Sequence, residues 1–296
     1  MKRATAFLPA AALTILVLVA AADGDRASSI DPAHPPRFSH VALIVLENRG
    51  YKVLHSPQAP YLRSLARRYG LATRYFGVSH PSLPNYLALT AGATFHVARD
   101  CHCQVDRTSL FDQLDAAQIP WKAYFESGLS NTGRVDPFLH YEQATDGSTL
   151  GHVASFAQLS QDLQRQELPR FSWITLGLCH DGHYCSTRFS DHYLARFVPP
   201  LLHAVGPQGV VFITWDEGTT NAGLGPGPGG GHVPLIVAGG GAVPHERSRQ
   251  PANHYALLHT IEESFGLPPL RKAASAAVAP VNRLLAAPGR SSQARG

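Results

Sequence analysis

Three short, almost unbroken apolar runs constrain most of what this chain can fold into: His40–Leu46, Gly209–Trp215 and His232–Ala238. Runs of this length without polar alternation suit strands buried on both faces, as in a parallel sheet under helices. Segments of helical spacing surround them: Pro60–Tyr69, a helix opening at Ser82–Pro84, Ser109–Gln118, Phe156–Gln166, Ser190–Val205 and Tyr255–Phe265. Shorter strands are expected at Trp121–Phe125 and Phe171–Leu176. The alternation predicts a single α/β domain with a largely parallel central sheet flanked by helices.

The ends of the chain read differently. Lys2 and Arg3 precede an apolar stretch from Ala4 to Ala22, the pattern of a signal peptide over residues 1–22. Its removal leaves no stable membrane anchor and implies a secreted or periplasmic protein; an uncleaved anchor is the alternative. Residues 23–37 read as a linker, 38–272 as the domain, and 273–296 as an Ala/Pro-rich tail expected to pack loosely. Residues 127–151 read as a surface excursion. Without residues 1–22 the chain keeps 23 basic against 21 acidic residues, so charge gives no argument for nucleic acid, and no basic aromatic-interleaved patch appears. Cys101, Cys103, Cys179 and Cys185 fit an oxidising compartment. A Cys101–Cys103 bond would close a very tight loop, so links from that pair to Cys179 and Cys185 are expected. Their spacing matches structural zinc sites poorly.

Polar residues collect where the apolar runs end. Glu47-Asn48 follows the first run, His180-Asp181 the strand at 171–176, and Asp216-Glu217 the run ending at Trp215. Parallel strands place their carboxyl ends on one edge, where α/β sheets bind ligands. Acids gathered there repel unless a cation or proton lies between them, and oxygen ligands suit Mg²⁺, Ca²⁺ or Mn²⁺. A histidine joining the shell would make Zn²⁺ or Fe credible. Pro84 suits the first turn of a helix, which puts Ser82 at or near the N-cap, beside unpaired N–H groups and the positive end of the dipole. A hydroxyl there is either a plain cap or a nucleophile able to pass through an anionic intermediate. Of sixteen histidines, His180 beside Asp181 and His254 at a helix start are the best placed.

Several blocks together resemble one family. They are Val45–Arg49, His80–Leu89, His180-Asp181-Gly182, Thr214–Glu217 and His254–Leu258, in that order. They are similar to the bacterial secreted phosphoesterases that include acid phosphatases and phospholipases C, within the alkaline phosphatase superfamily. The short single-domain secreted acid phosphatases are the nearest in pattern. The resemblance implies an alkaline phosphatase-like fold, Ser82 as nucleophile, and Asn85 as a donor to a phosphoryl oxygen. It implies Glu47, Asn48, Asp216 and Glu217 as ligands of a catalytic metal. His180 would protonate the leaving oxygen or contact phosphate, and His254 would face the same pocket. The expected activity is hydrolysis of phosphate monoesters through a phosphoserine, on phosphorylated small molecules or lipid headgroups such as phosphoinositides. A phospholipase C-like diesterase and a non-catalytic phosphate- or lipid-binding protein are the alternatives. The chain departs from the pattern at Leu176–Cys179, where relatives carry an Asn- and Asp-rich loop, and at Arg134–Phe138, where a phosphate-facing histidine is replaced.

Overall fold

The computed structural model describes residues 1, 38–128 and 149–286. The signal and linker segments, the greater part of the 127–151 excursion with Arg134–Phe138, and residues 287–296 lie outside the described residues.

A single nine-stranded sheet forms the centre. Its strands are β1 (Val41–Leu46), β2 (Gly70–Phe76), β3 (Trp121–Phe125), β4 (Val153–Ser155), β5 (Phe171–Thr175), β6 (Val210–Trp215), β7 (His232–Ala238), β8 (Arg247–Ser248) and β9 (Ala252–Asn253). The spatial order is β4-β3-β5-β1-β6-β7-β2-β8, with β9 paired to β2. Strands β4, β3, β5, β1 and β6 are mutually parallel, while β7 runs antiparallel to both β6 and β2. Every residue of β1 and β6 is buried, as unbroken apolar runs require. The sheet is therefore mixed but mostly parallel, and the α/β expectation holds.

Its helices are α1 (Pro60–Arg68), α2 (Ser82–Ala91), α3 (Leu110–Ala116), α4 (Phe156–Arg165), α5 (Thr187–Val205) and α6 (His254–Phe265). Helix α1 turns Leu62, Leu65 and Ala66 inward. Ala59 has no side chain with which to cap it, so the buried Asp191 of α5 reaches across and accepts the Tyr61 and Leu62 N–H groups at 3.0 and 2.8 Å. Helix α3 carries a capping box between Ser109 and Asp112.

The topology gathers one edge. Strands β3, β5, β1 and β6 end there with Glu126, the 177–182 turn, Glu47 and Asp216. Because β7 is antiparallel to β2, Phe76 pairs with His232, so the chain leaving β2 for Ser82 departs from the same edge. Strand β9 pairs with Tyr75 and Phe76, which brings His254 there too.

Four strands escape the sequence reading. Strand β2 opens on Gly70, which reads as a helix stop, and β4, β8 and β9 are two or three residues long. The tail expectation is corrected as well. Ala273, Val281, Leu284 and Leu285 are buried, Thr260 Oγ1 accepts the Val281 N–H at 2.9 Å, and Ala242 bridges Leu285. Apolar side chains spaced through residues 273–285 dock on α6 and β2, so the domain continues past 272.

The disulfide expectation is also overturned. Cys101 bonds Cys103 and Cys179 bonds Cys185, each within its own loop. The 179–185 turn folds back far enough to bring those two Cα atoms within 4.6 Å, so neither loop needs a thiol from the other. Among the described residues no cysteine is free.

Buried acids also lie away from this edge. Glu262 on α6 accepts the Leu270 N–H through Oε1, while its Oε2 has no partner among the described residues. Burial pushes its carboxyl up to about 8 from 4.5. The native state therefore holds a proton that the unfolded chain releases, and stability falls as pH rises through that window. Glu262→Gln is expected to flatten the dependence of Tm on pH between about 4.5 and about 8. A variant whose Tm tracks the wild type at every pH in that range would contradict this assignment.

Candidate active site

Ser82 is the first residue of α2, one position inside the Pro81 N-cap, and is almost fully buried. Its position combines the helix dipole with nearby N–H groups. Asp100 accepts the Leu83 N–H at 3.0 Å and so ties the incoming 94–106 loop to this helix end. The Ser82 Oγ–H points at Glu47 Oε2, 3.3 Å away.

Glu47 and Asp216 leave neighbouring parallel strands and face each other inside the protein. Both are essentially inaccessible to solvent. Burial, then the charge of Asp216, pushes the Glu47 carboxyl well above its usual range. Burial likewise raises Asp216, while the Asn48 N–H pulls it back. Asn48 sits in the left-handed region (φ 56°), which Asn tolerates, and this turn aims its N–H at Asp216 Oδ1, 3.0 Å away. Its side-chain Nδ2 donates to Glu47 Oε2 at 3.0 Å. The remaining Asp216 oxygen, Oδ2, is buried with no hydrogen-bond partner among the described residues.

Glu217 takes another course. Its Oε2 meets His80 Nδ1 at 2.8 Å, while His80 Nε2 meets the Thr220 carbonyl at 3.0 Å. Burial, then the charge of Asp216, raises Glu217 to about 7, with His80 pulling it back. Among the described residues no three His, Cys, Asp or Glu side chains converge as a metal cage. The oxygens that do converge are those of Glu47 and Asp216, with Ser82 Oγ and the Asn48 side chain alongside. A hard cation fits this donor set, because it would satisfy the orphaned Asp216 Oδ2 and the crowded buried carboxylates at once. Mg²⁺, Mn²⁺ and Ca²⁺ match oxygen donors; among the described residues no thiol or free imidazole nitrogen at this spot favours a softer metal.

Two expectations about nitrogen donors change. Asn85 is completely buried, and its Nδ2 donates to the Ser79 and Pro81 carbonyls at 2.9 and 3.1 Å. Its Oδ1 accepts the Val78 and Ser79 N–H groups. With both amide hydrogens spent on the loop leading to Ser82, Asn85 shapes that loop and has no hydrogen left for a phosphoryl oxygen. His254 is also wholly buried. Tyr75 hydroxyl meets its Nδ1 at 2.9 Å, and its Nε2 meets the Asp216 carbonyl. Burial depresses it to about 4, so it is a neutral ring that holds the Asp216 backbone and does not face a pocket.

His180 lies on the other side of the edge. Its Nδ1 meets Glu126 Oε1 at 2.7 Å, and its ring stacks on Tyr193 (centroids 3.6 Å apart) and on Phe189. Glu126 also accepts from Tyr193 hydroxyl and the Gly177 N–H. Nothing in these contacts touches Ser82. The connection runs through the backbone: the Asp181 carbonyl accepts the Glu47 N–H at 3.1 Å, which seats the 180–182 turn on the Glu47 strand end. Asp181 itself is buried and pushed up to about 7, chiefly by burial.

Sequence reasoning missed Tyr86, Glu126, His80 and Asp100. Glu126 follows an apolar strand just as Glu47 does, so the same strand-end signal was available for it. His80 gains its meaning from Glu217, 137 positions away in the chain. Glycine matters at one place here. A Cβ on Gly77 would sit 2.7 Å from the Gly230 carbonyl, so the 219–231 loop packs against the β2 exit only because Gly77 has none.

Residues 46–268 match the Phosphoesterase family. The phosphate-repressible acid phosphatase of Penicillium chrysogenum is 28% identical over 236 residues, covering 71% of this chain and 55% of that protein. The phosphatidylinositol-3-phosphatase of Mycobacterium tuberculosis is 26% identical over 248 residues, covering 79% of each. The chain spans between 55% and 64% of the length of the fungal acid phosphatases that it matches. Among solved structures, an alkaline phosphatase superfamily protein from Vibrio parahaemolyticus aligns with a TM-score of 0.59 at 14% identity, covering 82% of this chain and 71% of that one. At that identity the likeness is one of fold.

Proposed function

The chain belongs to the Phosphoesterase family, and from that membership we propose that it hydrolyses phosphate monoesters through a phosphoserine at Ser82. The observation that carries this reading is the Ser82 hydroxyl at the start of α2, hydrogen-bonded to one of two buried, mutually repelling carboxylates. Acid phosphatases among the relatives support a phosphatase. Their greater length leaves the substrates and partners of this chain to experiment.

Glu47, Asn48, Ser82 and Asp216 would hold a divalent cation, with Glu217 close by. When bound, the cation polarises a phosphoryl oxygen and offsets the charge of Glu47 and Asp216. Glu47 Oε2 already accepts the Ser82 proton in a hydrogen bond and so favours attack by Oγ. The Ser82 Oγ–phosphorus bond forms as the bond from phosphorus to the alcohol oxygen breaks. Protonation of that oxygen is assigned to His180, whose Nδ1 is held by Glu126. Water then attacks phosphorus and gives a proton back to His180, and the Oγ–phosphorus bond breaks as Oγ recovers its proton from Glu47 and phosphate leaves. The positive end of the α2 dipole lies beside Ser82 and favours the charge that grows there in both steps, although the Leu83 N–H is already given to Asp100 and Pro84 has none.

Substrate breadth follows from the loop after Glu217. Residues 219–231 include six glycines, all of them between 223 and 231, and no aromatic residue. Such a loop borders the site without building an acyl-chain slot, which favours soluble monoesters and admits phosphoinositide headgroups. A signal peptide over residues 1–22 would deliver the protein to the periplasm or medium.

A panel of p-nitrophenyl phosphate, nucleotides, phosphoinositides and phosphatidylcholine, assayed with added Mg²⁺, Mn²⁺ or Ca²⁺, tests this reading. Monoester turnover that exceeds phosphatidylcholine turnover is expected. Preferred cleavage of the diester would move the assignment to a phospholipase C-like enzyme. Binding without turnover under every metal and pH would make the protein a phosphate- or lipid-binding scaffold.

A further inference from the structure

We propose that Tyr86 is a positioning residue that confines Glu47 to ligation through a single oxygen, and so biases the site toward small octahedral cations over Ca²⁺. The inference rests on the reading of Glu47 as a cation ligand.

Tyr86 lies four residues after Ser82, one turn along the same helix. It is buried, and its ring packs near Trp173, with centroids 6.2 Å apart. Its hydroxyl donates to Glu47 Oε1. That leaves Oε2 as the Glu47 oxygen beside Ser82, where Ser82 Oγ and Asn48 Nδ2 also reach it. Asp216 repeats the arrangement: Oδ1 is tied to the Asn48 N–H, and Oδ2 is the oxygen without a partner among the described residues. Glu47 thus turns Oε1 to Tyr86, away from the other candidate ligands, and Oε2 toward Ser82 and Asn48, while Asp216 gives Oδ1 to the backbone and keeps Oδ2 for the site.

This pattern bears on which ion the site takes. Mg²⁺ and Mn²⁺ accept single oxygens in near-octahedral geometry, whereas Ca²⁺ takes six to eight ligands and often both oxygens of a carboxylate. A cation that drew on both Glu47 oxygens would have to compete with the buried Tyr86 hydroxyl for Oε1. Partners that hydrogen-bond to ligating side chains commonly contribute about 10- to 100-fold to metal affinity.

Tyr86→Phe removes the hydroxyl and keeps the ring. Titration calorimetry of the full-length protein with Mn²⁺ and, separately, Ca²⁺ measures the effect, with Glu47→Gln as the companion variant. The wild type is expected to prefer Mn²⁺. In Tyr86→Phe the Kd for Mn²⁺ is expected to rise about 10- to 100-fold, with a smaller change for Ca²⁺, so the preference narrows. Saturating Mn²⁺ should restore most of its turnover, which a merely structural defect would not allow. Wild-type Kd values for both ions in Tyr86→Phe, alongside lost Mn²⁺ binding in Glu47→Gln, would overturn the role given to Tyr86. Undiminished Mn²⁺ affinity in Glu47→Gln would instead overturn the ligand reading beneath it.

Discussion

Ser82→Ala is expected to lower phosphomonoester turnover by roughly a thousandfold or more, because it removes the atom to which phosphorus is transferred. The fold should survive. The lost hydroxyl makes one hydrogen bond, to Glu47 Oε2, and that oxygen keeps the Asn48 amide while Oε1 keeps Tyr86. Removing such a bond from one side costs about 1 kcal/mol or little more, so Tm should shift by only a few degrees. The expected signature is therefore a large fall in kcat in a protein that melts almost as the wild type does. Near-normal turnover of p-nitrophenyl phosphate by a folded Ser82→Ala protein would contradict the assignment of Ser82 as nucleophile.

The second large effect concerns Glu47→Gln. Glu47 and Asp216 are two acids buried side by side, each raised chiefly by burial, and Asp216 adds repulsion at Glu47. Neutralising one of them relieves both the desolvation and the repulsion. The metal-free variant should then be at least as stable as the wild type. With a divalent cation present the order should reverse. A cation that binds only the native state stabilises it in proportion to the logarithm of its concentration over Kd. Glu47→Gln should lose most of that gain, with metal affinity reduced by about a hundredfold or more and turnover falling with it. Thermal melts of both proteins, with EDTA and then with increasing Mn²⁺, measure this directly. A metal-dependent rise in Tm that is the same in the variant as in the wild type would remove Glu47 from the ligand set.

The parts of this architecture that were legible in the sequence are those where burial alone decides. Strands β1, β6 and β7 are so nearly apolar that burial on both faces is required, and the acids that follow β1 and β6 had to emerge at a sheet edge. Glu47 and Asp216 were found in this way, and the fold brings them together. Strand β2 was not legible, because its opening glycine mimics a helix stop, and short edge strands such as β8 carry too few residues for any period to show.

Partnership across the chain was the harder part. Asn85 belongs to a block that resembles a catalytic motif, yet its amide folds back on Val78, Ser79 and Pro81, and a side chain's direction is not written in its spacing. His254 reads as a polar residue at a helix start, but Tyr75 and the Asp216 backbone enclose it. His80 and Tyr86, which sequence reasoning passed over, gain their meaning from partners 137 and 39 positions away. The cysteines erred in the opposite direction: long-range links were expected where each loop closes on itself.

The central claim is that phosphorus passes through Ser82, and trapping the intermediate tests it most directly. The wild-type protein would be mixed with a phosphate-labelled monoester in the presence of Mn²⁺, quenched in acid within the first turnovers, digested and mapped by mass spectrometry. Label is expected on the peptide that contains Ser82, and none in Ser82→Ala. Release of labelled phosphate by the wild type with the label never on that peptide, or with the label on a different residue, would contradict the account.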